Sequence, residues 1–387
     1  MKILHCVESY YPSVGGMQEV VKQLSERLVK SGHEVTVATR KITERISNEL
    51  NGVKIEEFDI IGNEVNGYKG SDRHRYQDYL LNSDFDVITF FAAQQWATDL
   101  ALKILPQIRA KKVAVPTGYS GFYLEQYKSY FQDMKTHIHR YDMNVYLSND
   151  YRDINFAREN DVQKLLVIPN GAAEDEFTCP KKFDVRRELN IPNNYKLLLH
   201  VGSYTGIKGH ADAIRIVLKA KNKKIALLMI GNGFENIYLS KKLKLKLFLN
   251  KIFGSKKIIY NYYDRQFTID AYRQSDLFLF PSNIECSPIV LFECAAASLP
   301  FLTNDVGNSV EITSWTKGGE IMPTTIDKAG YSYANIDEAA KQLDELLSNK
   351  TKLKMMGLKA HEIWKEKYSW EKITEQYENL YTSLLNN

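Results

Sequence analysis

Apolar positions along the chain recur in two alternating rhythms. Ile3 to Val7 is a largely apolar run that predicts a buried strand. After a Gly-Gly turn, Met17, Val20, Val21, Leu24 and Leu28 recur at helical spacing and define one face of a helix. Gly32 stops that helix where a terminal glycine is expected, and Glu34 to Thr39 alternates into a second strand. The unit is βαβ. Further strands are predicted at Val53 to Phe58, Asp86 to Phe91, Lys112 to Pro116, Asn144 to Leu147 and Leu165 to Ile168, with longer polar or helical segments between them. Such spacing implies parallel strands joined by crossovers.

After Pro169-Asn170-Gly171 comes a stretch from Ala172 to Asn194 that is rich in charge and turn residues, holds Pro180 and Pro192, and reads as a linker. The rhythm then restarts with strands predicted at Leu197 to Val201, Ile225 to Ile230, Lys257 to Tyr260, Leu277 to Phe280 and Phe301 to Asn304. In the last segment Trp370, Ile373, Tyr377, Leu380, Tyr381 and Leu384 fall on one helical face, so the chain ends in an amphipathic helix that needs a docking surface. The expected fold is α/β, with two Rossmann-like, doubly wound domains. The first takes residues 1–175 with the returning helix 370–387, and the second takes 176–369. Ligands of open α/β sheets bind outside the carboxyl ends of the strands, so functional motifs are expected there.

Composition narrows the function classes. The 387 residues are 44% hydrophobic and 25% charged, which excludes a disordered chain, and the length excludes a single small domain. Lys plus Arg number 51 against 47 Asp plus Glu, a net +4, so there is little overall push toward nucleic acid. The apolar run at the start is too short for a secretory signal, and no window approaches 18 uncharged apolar residues; neither export nor a membrane span is expected. The four cysteines, Cys6, Cys179, Cys286 and Cys294, show no C-x-x-C spacing, against a zinc site or a disulfide scaffold and in favour of a reducing cytoplasm.

Four strand-end loops could carry chemistry. Gly15-Gly16 directly precedes the first helix, where unpaired N–H groups and the helix dipole favour a phosphate; two glycines by themselves favour a plain tight turn over that phosphate site. There is no G-x-G-x-x-G and no acid at the ribose spacing, which counts against a nicotinamide or flavin domain. Gly202-Ser203-Tyr204-Thr205-Gly206-Ile207-Lys208-Gly209 follows an apolar strand and lacks Walker spacing. It still places a lysine where a helix begins, a position the dipole disfavours unless an anion lies between. Gly231-Asn232-Gly233 fits either close backbone approach to a base or a turn.

The sharpest signal is Glu285-Cys286-Ser287-Pro288-Ile289-Val290-Leu291-Phe292-Glu293. Ser287 is expected to cap a helix with Pro288 at its first position, leaving the N–H groups of Ile289 and Val290 for an anion. From Ile289 to Ala297 that helix is apolar all round except for Glu293. A buried carboxylate needs donors, either a structural Lys or Arg or a pair of ligand hydroxyls.

Taken together these fragments resemble retaining glycosyltransferases of the large family 4 type, which have the GT-B architecture of two Rossmann-like domains facing each other across a cleft. Tyr11 to Gly16 resembles the family's N-terminal glycine loop, Ile168 to Gly171 its interdomain strand end, and Val201 to Gly209 its phosphate loop. Glu285 to Glu293 resembles its E-x7-E motif, and Tyr368 to Ile373 its closing helix. The resemblance implies that Glu285 contacts donor-sugar hydroxyls and Glu293 the ribose hydroxyls. Ile289 and Val290 would hold the diphosphate, Lys208 would neutralise the leaving group, and Gly16 would approach the same phosphates. Ser203, Gly231 and Ser287 complete the expected donor site. Glu285 and Lys208 are the expected catalytic residues. No metal or cofactor is implied, since the nucleotide sugar, expected to be a UDP-sugar, is a substrate.

Two positions depart from the family. Ser203 stands where an arginine often follows the first glycine of the phosphate loop, and Val115 to Gly121 lacks a histidine that many members carry, leaving Tyr119 as an acceptor-side substitute. The implied partners are a nucleotide-sugar donor and a saccharide or lipid-linked saccharide acceptor in cell-surface glycan synthesis, with no nucleic acid. Lys241 to Lys257 adds a basic segment whose apolar residues do not gather onto one helical face; it reads as a solvated face, with peripheral binding to an anionic membrane as the alternative. Two rival readings are a nucleotide-sugar epimerase on a similar scaffold and a non-catalytic, transferase-like binding subunit.

Overall fold

The structure, a computed structural model, describes residues 1–233 and 239–386. It divides into two compact units, one formed by Met1–Asn170 with the C-terminal stretch from Trp370, the other by Gly171–Ser369.

The first unit contains β1 (Lys2–Cys6), β2 (Glu34–Arg40), β3 (Glu49–Leu50), β4 (Val53–Phe58), a small hairpin of β5 (Ile61–Asn63) and β6 (Gly67–Lys69), then β7 (Val87–Phe91), β8 (Lys111–Val115), β9 (Met143–Tyr146) and β10 (Leu165–Val167). Its main sheet runs β10-β9-β8-β7-β1-β2-β4-β3, and every pairing is parallel except the short edge pairing of β3 with β4. The second unit contains β11 (Lys196–Val201), β12 (Ile225–Ile230), β13 (Lys257–Asn261), β14 (Leu277–Phe280), β15 (Phe301–Thr303) and β16 (Gly319–Ile321) in the fully parallel order β13-β12-β11-β14-β15-β16, with a separate hairpin of β17 (Thr324–Ile326) and β18 (Ser332–Ala334). Each unit is therefore a Rossmann-like, doubly wound sheet. The second has the 3-2-1-4-5-6 order, which reverses between β11 and β14.

The central strands read as apolar runs because helices cover both faces of a parallel sheet. All of β12 and β14 is buried, as is β11 from Leu197 to His200. The pieces with no sequence signal, namely β3, the β5–β6 hairpin and β16 to β18, are two or three residues each, too short for an alternation to show.

The stretch expected to be a linker is instead part of the second unit. Phe177, Val185 and Ile191 are buried in its core, and the Asp270 carboxylate accepts the backbone N–H groups of Lys182 and Phe183. Here three apolar anchors outweigh a polar composition. For the same reason the units divide after Asn170 rather than at 175: Ala172 donates its N–H to the Tyr368 carbonyl and accepts from Trp364 Nε1, fastening it to the second unit.

The C-terminal helix, Trp370–Asn386, packs on the first unit. Trp370, Ile373, Tyr377, Leu380, Tyr381 and Leu384 are buried there. Arg27 pairs with Glu371 at 2.8 Å, His33 bonds Glu378 at 3.0 Å, and the Tyr381 hydroxyl lies 2.7 Å from Thr89 Oγ1 and 3.3 Å from His5 Nε2.

Candidate active site

The carboxyl ends of β11 and β14 lie side by side at the reversal of strand order in the second unit, and each feeds a loop that carries an expected catalytic residue. The loop after β11 runs from Gly202 to Gly209 and enters the helix His210–Lys219. Its path is fixed from beneath. Gly202 N–H binds the Ile230 carbonyl, Tyr204 N–H the Asn232 carbonyl, and His210 Nε2 donates to the Gly202 carbonyl at 3.0 Å. Gly209 is left-handed (φ +73°), and a Cβ there would lie 1.9 Å from the Pro281 carbonyl oxygen, so the two loops touch at a point only glycine allows.

That approach brings Lys208 Nζ to 2.7 Å from Glu285 Oε1, and Ser282 Oγ donates to the same oxygen at 2.7 Å. The Glu285 side chain is 12% exposed and that of Lys208 is 28% exposed. The lysine at the start of the helix thus has its anion, and it is the protein's own carboxylate. A cation, a carboxylate and a helix N-terminus at a topological switch point can bind a phosphorylated sugar: the cation matches phosphate, the carboxylate matches hydroxyls.

The next helix, Ile289–Ala296, begins one residue later than its sequence suggests. Pro288, not Ser287, occupies the cap position, because Pro288 sits in extended geometry (φ −69°, ψ 109°) rather than in the first turn. Ile289 and Val290 remain in the first turn, where N–H groups have no preceding carbonyl to bind. Further along, Glu293 is buried, 4% exposed, and its Oε1 lies 2.6 Å from Arg265 Nη1. Arg265 opens the helix Arg265–Gln274 and also grips Glu176 with its Nε at 3.1 Å and Nη2 at 2.5 Å. Of the two partners the sequence left open for Glu293, the structure shows the arginine. Burial, and next the Glu293 charge, push the neighbouring Tyr272 phenol well above its ordinary pKa.

Comparison with known proteins matches this layout in both units. Residues 181–364 match the model described as "Glycosyl transferases group 1", and residues 14–176 match "Glycosyltransferase Family 4". The chain belongs to the family 4 glycosyltransferases. It is 22% identical to N-acetyl-alpha-D-glucosaminyl L-malate synthase of Bacillus anthracis, over 97% of this chain and 96% of that one. It is also 22% identical to O-antigen chain mannosyltransferase C of Escherichia coli, over 100% and 99% of the two chains. Among solved structures, Anabaena HepE in complex with UDP and glucose superposes with a TM-score of 0.75 at 15% identity, covering 99% of this chain and 100% of that chain. The fold is GT-B.

The remaining expected site residues of this glycosyltransferase separate by what their backbone demands. Gly231 is required by the fold, since a Cβ there would lie 2.0 Å from the Gly202 carbonyl oxygen. Gly16 is not: it begins the helix Gly16–Lys30, and a Cβ there would meet nothing within 4 Å. Gly16→Ala is therefore expected to leave the melting temperature unchanged. If the glycine admits a donor phosphate, the same change lowers kcat/KM at least tenfold, and wild-type kinetics would return Gly16 to a plain turn. Ser203 is half-buried in the β11 loop, where its carbonyl accepts the Thr205 N–H.

Tyr119, expected on the acceptor side, is packed rather than presented. Its ring lies edge-on to Phe131 at 5.1 Å and Phe156 at 5.6 Å, and it is 3% exposed. What stands out there is backbone. Ala92 and Gln94 after β7, and Thr117 and Tyr119 after β8, are all left-handed non-glycine residues at the carboxyl end of the first unit's sheet. Gln94 Oε1 accepts the Gly121 N–H, the Tyr130 hydroxyl accepts the Gln94 N–H, and that hydroxyl in turn donates to Asp99 at 2.7 Å. Burial raises the Asp99 carboxyl to about 7.

Several residues of the second unit's site had no sequence signal. Arg265 and Glu176 act through partners far along the chain, and Ser282 is a plain strand-end serine until the loop folds its hydroxyl onto Glu285. His200, buried and lowered to about 4, donates Nδ1–H to the Leu279 carbonyl and so ties β11 to β14. It lay hidden in a strand that reads as simply apolar.

Proposed function

We propose that this glycosyltransferase moves a sugar from a nucleoside diphosphate donor, most simply a UDP-sugar, to a saccharide or lipid-linked saccharide acceptor, with retention of anomeric configuration and without a metal. The carrying observation is the contact of Lys208 with Glu285 at the strand-order reversal of the second unit. On this reading the donor's diphosphate takes Lys208 as its counter-charge and the N–H groups of Ile289 and Val290 as its hydrogen-bond donors. Negative charge grows on the departing diphosphate as the glycosidic bond breaks, so a fixed ammonium there favours the transition state over the bound donor. Glu285, released from Lys208 but still held by Ser282, turns to the sugar hydroxyls. The UDP bound by HepE supports the choice of nucleotide, and the O-antigen relative supports a role in cell-surface polysaccharide synthesis. The place proposed for the work is the cytoplasm, at the inner face of a membrane where an acceptor is lipid-linked. No helix among the described residues is long and apolar enough to cross one.

Incubation of the full chain with a panel of UDP-sugars, with and without glycan acceptors, tests the reading. Acceptor-dependent release of UDP supports it. Interconversion of the donor with no acceptor would make the protein an epimerase, and saturable binding without turnover would make it a binding subunit.

Glu293 is proposed to hold the ribose hydroxyls although Arg265 already grips it. Glu293→Gln is expected to weaken UDP binding by about 1.5 to 3 kcal/mol, the range for hydrogen bonds to charged groups, with some loss of stability from the weakened pair. Arg265→Gln should lower stability while leaving the dissociation constant for UDP within about threefold. Equal binding defects in the two variants, read by calorimetry, would mean that the pair only supports the fold.

A further inference from the structure

The basic segment after residue 240 folds into the helix Lys241–Phe253, with Ser240 Oγ capping it through the Leu243 N–H. Its apolar residues do not gather onto one face because they gather onto two. Leu243 and Leu247 turn inward onto the apolar cluster that holds Leu239, Met229 and Ile214. Leu245, Phe248, Leu249 and Ile252 form a second stripe at i, i+3, i+4 and i+7, and this stripe faces water. Phe248 is 58% exposed, and Phe253, which extends the stripe at the helix end, is 82% exposed.

Charge surrounds this stripe on one pattern. At 100° per residue Lys244 and Lys251 border one side and Lys246 the other, while Lys241 and Lys242 stand in the first turn at the ridge's N-terminal end. No acidic residue occurs from 240 to 257. Asp337, the acid that acts on Lys246, is already paired with Lys219 at 2.9 Å. The structure also removes two of the seven lysines from this surface. Lys256 is buried, donating to the Val217, Leu218 and Ala220 carbonyls at the end of the preceding helix, and Lys257 binds the Asn190 carbonyl at 2.5 Å. What remains is a compact apolar ridge flanked on both sides by cations. Exposed apolar surface of this kind marks an interaction site. Lysines on both borders, with stems long enough to lie along the ridge while their ammonium groups reach outward, fit a bilayer interface of negative charge better than a protein groove.

We propose that the outer face of this helix is a membrane-docking surface: Leu245, Phe248, Leu249, Ile252 and Phe253 enter the boundary between headgroups and acyl chains, while Lys242, Lys244, Lys246 and Lys251 contact anionic headgroups. The proposal concerns where the second unit rests, so it is read without donor or acceptor, and its failure leaves the transfer chemistry untouched.

The test is co-sedimentation of the full chain with phosphatidylcholine vesicles, plain or containing phosphatidylglycerol. Binding is expected only with the anionic lipid and should weaken steeply with added salt. The double change Phe248→Gln with Ile252→Gln should lower the vesicle partition coefficient at least tenfold with an unchanged melting temperature, since both side chains are already in water. Lys242→Gln with Lys251→Gln should lower it about twenty-fivefold, from about fivefold per lysine. A fluorescence blue shift of Phe248→Trp on adding anionic vesicles would place the ridge itself in the lipid. No sedimentation of the wild-type chain, or undiminished binding by the Phe248 and Ile252 double variant, would overturn the proposal. So would a concentration-dependent dimer that the double variant abolishes while vesicles have no effect, because a second copy would then cover the ridge.

Discussion

Replacing Lys208 by alanine is expected to lower kcat by about 10²- to 10³-fold while changing the donor KM by much less, the cost seen when a fixed donor to developing charge is removed. The asymmetry follows from the chemistry proposed for the site. On that proposal the bound donor spreads its charge over a diphosphate that the Ile289 and Val290 N–H groups also hold, whereas the charge gained on departure would be met most strongly by the full positive charge of the ammonium. The structure adds a second consequence. In the free protein Lys208 neutralises Glu285, whose side chain is largely buried. Its loss leaves that carboxylate with Ser282 as a remaining donor, so a modest fall in stability should accompany the kinetic defect. Steady-state kinetics over a range of donor concentrations, together with a melting curve, separate the two. A variant with normal kcat and a raised KM would show that Lys208 serves binding alone.

Ending the chain after Ser369 is expected to abolish soluble expression. The deletion strips Trp370, Ile373, Tyr377, Leu380, Tyr381 and Leu384 from the first unit, all of them buried there. At about 1.5 to 3 kcal/mol per large apolar side chain, the loss approaches or exceeds the 5 to 15 kcal/mol that typically holds a domain together. It also leaves Arg27 without Glu371, and Thr89 and His5 without the Tyr381 hydroxyl. Tyr381→Phe is the milder form of the test, removing one buried hydroxyl without opening a cavity, and should cost about 1 to 2 kcal/mol in urea unfolding. A soluble truncated chain that melts like the full one would sink this account.

The sequence by itself determined the longer elements and their kind. Leu197 to His200 and Ile225 to Ile230 read as strands buried on both faces, and the stripe from Trp370 to Leu384 required a surface to cover it. The run from Ile289 to Ala297 required burial of Glu293. Those inferences succeed because periodicity reports whether each side chain meets water or core, and that is settled locally by the backbone repeat. Tertiary structure alone decided who meets whom. Lys208 and Glu285 are separated by 77 residues of sequence and come into contact because β11 and β14 are neighbours, a fact of strand order rather than of either loop. Arg265 reaches Glu293 for a similar reason, and Lys256 leaves the basic surface because three carbonyls at a helix end lie within its reach. The linker-like stretch became core because Phe177, Val185 and Ile191 find apolar partners brought from elsewhere in the chain. The helix Lys241–Phe253 shows the same division. Its sequence gives an unsorted mixture of leucine, phenylalanine and lysine, and only the surface that claims Leu243 and Leu247 leaves Leu245, Phe248, Leu249 and Ile252 together on the outside, because a helix can bury just the face its neighbours cover.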